Sequence, residues 1–414
     1  MRFFAVTLLL AFSLPLRAYS VLTHEAIIDR NWPNGIRPLL LGRFPQTTDE
    51  QLKEAHAYVY GGAILQDMGY YPFGSKLFSD LLHYVRSGDY IQALIRDAQD
   101  VNEYAFALGA LAHYAADNAG HPVAVNRAVP KMYPKLQRKF GNEVTYEDNP
   151  AAHLRTEFGF DVIEVARGKY ASESYHDFIG FRVSKPVMER AFEDTYSFRM
   201  KDLFKDEDLA LGTFRFSVSQ VIPEMTKAAW SAKKKDILQL EAGMSRKKFV
   251  YRYSRTSYNK DWDSKYERPG FGARLLAFLF RIVPKIGPFK ALAFRVPTPE
   301  VEKMFIASFD DTKEHYHALL EEVKDGRLQL QNENFDTGRP TRRGDYKMAD
   351  ESYSKLLDHL EKATFSPELR ANILAFYQGS DGPDSAKARA VLSSLRASMW
   401  GGPPGPQPTP PSAR

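Results

Sequence analysis

Apolar positions along this chain recur at the spacing of helices rather than of strands. Residues 50–67, 75–86 and 89–120 read as helical, the last as two segments, and further helices are predicted at 184–200 and 208–232. Beyond them, 298–325, 347–363 and 366–377 have the same character. Thr23 is a suitable N-cap for a helix starting near His24. Asn149 caps another that has Pro150 at its first position. Gly120-His121-Pro122 predicts a helix end, because a residue before proline is pushed out of the α region. No stretch alternates in the manner of strands, so the predicted class is all-α, a multi-helix bundle with a C-terminal helical extension.

The ends of the chain differ from its body. Arg2, the apolar run Phe3 to Leu14 and the small residue at Ala18 together read as a signal peptide over 1–18, with cleavage after Ala18. That run is too short to span a bilayer. Cleavage makes the protein secreted or periplasmic and exposes the α-amine of Tyr19. Residues 19–232 form the expected main domain and 233–400 the helical extension packed on it. Gly401 to Arg414 is a Pro/Gly-rich tail expected to be extended or disordered. Pro269 to Phe294 is apolar with interspersed basic residues; it reads as a helix pair on the main domain, with a membrane-surface helix as the alternative.

Charge and cysteine content narrow the chemistry. The formal net charge is +5 and falls to +3 without Arg2 and Arg17, since residues 1–18 hold no acid. That mild excess suits an anionic substrate or a phospholipid or membrane surface as partner, and no specific nucleic acid is expected. There are 0 cysteines, so any metal must be held by His, Asp, Glu and backbone groups, which points to zinc rather than an iron–sulfur cluster. Oligomeric state is not legible.

The sequence concentrates such ligands in one stretch. His113, Asp117 and His121 stand four residues apart, twice, in a helix otherwise built from Leu108, Leu111, Ala112 and Ala116. At about 100° per residue they form one drifting stripe. A lone buried histidine is usually a hydrogen-bonded core residue; three such side chains in register can hold one or two ions. The full set of candidates is the Tyr19 amine, His24, Asp67, His83, His113, Asp117, His121, His153 and Glu157, with His153 and Glu157 again four apart. The other histidines, His56, His176, His315, His317 and His359, have no such partners in sequence, and His56 is read as structural. Asp80, three before His83, could orient it, but a solvated acid is the simpler reading. The loop Tyr70-Tyr71-Pro72-Phe73 could form a lipid-facing rim or merely pack.

The order of these residues resembles the zinc-dependent phospholipases C, whose all-helical fold is shared by the fungal single-strand nucleases and 3′-nucleotidases. The family order is amino terminus, His, Asp, His, His-x-x-x-Asp, His, His-x-x-x-Glu or Asp, and residues 19–157 reproduce it. The likeness fades after about residue 230. The resemblance implies up to three zinc ions. Asp67, His83, His113 and Asp117 would hold one, and His121, His153 and Glu157 a second. The Tyr19 amine and carbonyl with His24 would hold a third, with Asp117 bridging to the first. The short gap between Asp117 and His121 is similar to that in the amino-terminal domain of glycosylphosphatidylinositol-cleaving phospholipase D. Tyr19 stands where the family usually begins with Trp.

The reaction so implied is attack of zinc-bound hydroxide on phosphorus in a phospholipid, with Asp67 as ligand or catalytic base. A single-strand nuclease or 3′-nucleotidase is the alternative within the same fold. A non-catalytic envelope protein with structural zinc is the alternative outside it.

Overall fold

The computed structural model describes residues 21–167, 181–218, 234–235, 237–239, 294–360 and 365–397. The expected leader, Tyr19, His176, all of 219–232, residues 240–293 and the C-terminal tail lie outside the described residues. The protein is all-α. The described residues include one exception, a two-residue antiparallel pair of β1 (Glu333–Asn334) with β2 (Arg339–Pro340).

In chain order the helices are α1 (Val21–Asn31), α2 (Arg37–Arg43), α3 (Asp49–Ile64), α4 (Lys76–Tyr84) and α5 (Ser87–Asp97). They continue with α6 (Val101–Gly120), α7 (Asn126–Met132), α8 (Pro134–Phe140), α9 (Pro150–Arg167), α10 (Lys185–Tyr196) and α11 (Glu207–Phe216). Past the undescribed stretch come α12 (Pro299–Lys324), α13 (Lys347–His359), α14 (Pro367–Phe376) and α15 (Ala386–Ala397). The fourth of these, α15, has no counterpart in the sequence reading.

The bundle is organised around α6, which is buried on nearly every side from Glu103 to Asp117. Its seam with α3 is unusually close because glycines face backbone there. A Cβ on Gly109 would lie 2.0 Å from the Val59 carbonyl oxygen, and one on Gly62 would lie 1.9 Å from that of Phe106. Only a missing side chain permits that approach, and it is what brings the end of α3 against the middle of α6. α12 covers another side of α6, with the Tyr316 hydroxyl donating to the Leu108 carbonyl at 2.9 Å. α13 packs on α4. The described parts of the extension therefore lie directly on the main bundle.

Local chemistry explains most boundaries. Thr48 and Gln51 form a reciprocal cap at the start of α3, and Asp100 caps α6 through the Asn102 and Glu103 amides. Asn149 caps α9, accepting from the Ala152 amide at 2.9 Å. Two expectations fail. Thr23 lies inside α1 rather than at its cap, and its hydroxyl donates to Asp161 at 2.8 Å instead. Pro122 does not stop the chain's helical course. Residues His121–Val125 widen into a π-turn that passes directly into α7, which accommodates the missing amide hydrogen.

Candidate metal centre

α6 presents His113 and Asp117 one turn apart, and His121 opens the π-turn beyond them. Both rings nearest the centre are fixed by the backbone. His113 Nδ1 donates to the Ala63 carbonyl at the end of α3 at 2.8 Å. His83 Nδ1, on α4, donates to the Ser79 carbonyl at 2.7 Å. A carbonyl can only accept, so each ring carries its proton on Nδ1 and turns Nε2 inward. Those two Nε2 atoms lie 3.4 Å apart. Two lone pairs at that distance repel unless a proton or a cation stands between them.

Asp117 meets four imidazoles. Its Oδ2 lies 3.1 Å from His113 Nε2, 3.7 Å from His83 Nε2 and 4.0 Å from His121 Nε2. Its Oδ1 lies 3.5 Å from His24 Nε2, and the His24 ring stacks on His113 with centroids 4.7 Å apart. Asp67 enters from the turn Leu65–Tyr70 that follows α3, with Oδ1 3.5 Å from His83 Nε2. The Ser79 hydroxyl fixes that turn by accepting from the Gly69 amide and donating to the Gln66 carbonyl. Every one of these side chains is buried, Asp67 being the most open at 6%. Yet both Asp117 oxygens, Asp67 Oδ1 and His121 Nε2 make no hydrogen bond among the described residues. Orphaned buried polar atoms are costly. Here they converge on one point, which is the arrangement a bound cation would satisfy.

Electrostatics give the same picture without metal. Burial, and then the neighbouring His113, push the His24 pKa down to about 3. His113 is opposed by burial but carried up to about 9, chiefly by the charge of the adjacent Asp117. Asp117 is opposed by burial and is nonetheless held below the usual carboxylate range by His113, His121 and His24.

The far side of the centre is built differently. His121 Nδ1 bonds Asp336 Oδ1 at 2.8 Å. His153, on α9, bonds Asn126 Oδ1 through Nε2 at 2.6 Å and Glu157 Oε1 through Nδ1 at 3.0 Å. Burial, together with the charges of Asp117, Asp67 and Asp336, pushes the Glu157 carboxyl well above the usual range.

Among the described residues three groups have ligand atoms within 4.8 Å of one another. They are His24, His113 and Asp117; Asp67, His83 and His113; and His121, His153 and Asp336. Sequence reasoning had selected every member except Asp336. Glu157 stays on His153 outside these groups, and Tyr19 is not among the described residues. Asp336 sits in the turn Asn334-Phe335-Asp336-Thr337-Gly338, with no histidine at helical spacing to mark it. Asn126 was also missed, since an amide is not a zinc ligand and acts here only through His153.

Several smaller expectations change. Asp80 is buried rather than solvated: it accepts from the Tyr70 hydroxyl at 3.1 Å and from Lys76, while His83 is oriented by Ser79 instead. Of the aromatic loop, Tyr70 and Tyr71 are buried and Tyr71 packs edge-on against Phe214; Phe73 alone is exposed. His56 has a partner after all, Asp29 at 3.1 Å, and stacks on Trp32 away from the centre.

Imidazole nitrogens and carboxylate oxygens, with no thiolate, form a donor set suited to zinc. Fold and site together define an all-helical protein with buried His/Asp clusters that could hold metal ions. Residues 23–205 match the family model for zinc-dependent phospholipase C, which supports a zinc-dependent phospholipase C-like hydrolase. Comparison with curated proteins and with solved structures gave no match.

Proposed function

We propose that the protein is an exported phosphodiesterase that hydrolyses phospholipids, with the His–Asp centre binding the zinc ions on which its family depends. The observation that carries this reading is the convergence of His24, Asp67, His83, His113 and Asp117 on unpartnered carboxylate oxygens. When bound there, zinc would neutralise phosphate oxygens and acidify a water molecule.

The chain's own contribution is positioning and charge. His83 and His113 are held in the ligating tautomer by the Ser79 and Ala63 carbonyls. Asp117 supplies the negative charge shared across the centre. Asp67, the least enclosed of the set, either completes the metal's coordination or takes the proton of the attacking water. A membrane surface is the natural partner, and the exposed Phe73 near the Asp67 turn would contact it. Export rests on the leader read at 1–18, whose removal would supply the Tyr19 amine as a further ligand. No helix among the described residues is long and apolar enough to cross a membrane.

Zinc-loaded protein should release phosphorylated headgroup from phosphatidylcholine vesicles and lose that activity on chelation. Release of nucleotides from single-stranded DNA, with the vesicles left intact, would favour the nuclease branch of the fold and overturn the lipid reading.

A further inference from the structure

The histidines on the far side of the centre are not oriented by the family-matched region alone. We propose that Asp336 is a positioning residue of the zinc centre. Its turn, in the C-terminal extension, would fix which nitrogen of His121 faces the metal and which tautomer His153 adopts. This rests on the reading that the centre binds zinc.

Both oxygens of Asp336 are committed. Oδ1 takes the bond from His121 Nδ1 at 2.8 Å. Oδ2 accepts from the Tyr146 amide at 2.9 Å and the Tyr346 hydroxyl at 2.7 Å. The residue is 2% exposed. A carboxylate so saturated is poorly disposed to leave its partners for a metal. It is well disposed to hold a histidine: accepting from Nδ1 places the lone pair on Nε2, the atom that makes no hydrogen bond and faces Asp117. A carboxylate behind a metal-bound imidazole fixes ring and tautomer and raises its basicity.

The same residue reaches His153 through its backbone. The Asp336 carbonyl accepts from Asn126 Nδ2 at 2.7 Å. That bond turns Asn126 Oδ1 toward His153, where it accepts from Nε2 at 2.6 Å. His153 therefore carries its proton on Nε2 and directs Nδ1 toward Glu157. One turn beyond residue 330 thus fixes the inward nitrogen of His121, in the π-turn after α6, and the tautomer of His153 on α9. The family match ends at residue 205, so this support is supplied by the extension.

The test is zinc binding, measured by competition with a chromophoric chelator on full-length wild type, Asp336→Asn and Asp336→Ala. Loss of the outer partner should weaken one class of zinc by roughly 10–100-fold, with the number bound at saturating zinc unchanged. Unchanged affinity in both variants overturns the proposal, while zinc binding by wild type stands. Loss of a whole ion at saturation also overturns it, by making Asp336 a direct ligand. A wild type that takes up no zinc overturns the metal reading and the proposal together. Should the variants fail to fold, histidine-selective 15N NMR of zinc-loaded wild type decides. The expected result is a proton on Nδ1 of His121 and on Nε2 of His153, and the reverse on His121 overturns the assignment.

Discussion

The two sides of the metal centre solve the burial of polar groups in opposite ways. Around Asp117, five side chains crowd together with carboxylate oxygens that no donor among the described residues satisfies and imidazole nitrogens that face one another. Around Asp336, among the described residues, the side-chain atoms are nearly all paired, and His121 Nε2 is left pointing to the first side. The first side is unsatisfied without a cation. The second is a hydrogen-bonded frame that holds its histidines whether or not a cation is present. A buried polar network is stable only when fully satisfied, so the two sides should respond differently to metal and to mutation.

The largest effect should come from Asp117→Asn, which removes the charge shared by four imidazoles. Zinc affinity should fall by more than the ~100-fold upper range of an outer-partner loss, and turnover with it. A variant with wild-type affinity, measured by chelator competition, would break the distinction between the two sides.

Metal removal comes next. At zinc concentrations near 1,000 times the dissociation constant, binding stabilises a fold by about 4.1 kcal/mol. Denaturant titration should show that loss on chelation, together with a new pH dependence. In metal-free protein His24 titrates near 3 instead of 6.5, so the unfolded chain takes up protons first and stability falls as pH drops below 6.5. His113 titrates near 9, so the folded chain holds a proton that the unfolded one releases, and stability falls as pH rises from 6.5 toward 9. The metal-free maximum should lie near pH 6.5. Zinc replaces the proton on His113 and should flatten the alkaline limb; an unchanged limb in loaded protein would count against ligation by His113.

Gly109→Ala should cost roughly 3 kcal/mol, at the upper end for overpacking, because the added carbon meets backbone rather than a movable side chain. It shifts α6 against α3 and should weaken the zinc class held by His113 while sparing the Asp336 side. Equal weakening of both classes would show that the sides are mechanically one unit. Tyr346→Phe is the mildest change. It removes one bond to a buried carboxylate, worth about 1.5 kcal/mol, and should lower stability without moving the affinity of the Asp117 side.

Sequence pattern made the fold class and most of the near side legible. Helical spacing placed His113, Asp117 and His121 on one stripe, and His153 and Glu157 on another, because ligands on a helix leave a period that can be counted. The frame behind them leaves no such mark. Ala63 and Ser79 act through backbone carbonyls, which any residue carries. Asp336 reaches His121 across 215 positions from an irregular turn, and no local periodicity encodes a contact of that span. Asp80 misled for a related reason: its burial is set by Tyr70 and Lys76, and nothing in an isolated helix face reveals that a neighbour will cover it. Pro122 misled because a π-turn can absorb a proline that an α-helix would not.

A cation at the Asp117 side is what its unpaired carboxylate oxygens require. Native mass spectrometry of zinc-loaded wild type and Asp117→Asn, both folded by circular dichroism, tests this directly. The prediction is bound zinc in the wild type and at least one ion fewer in the variant. A wild type without zinc, or the same count in both proteins, would contradict it.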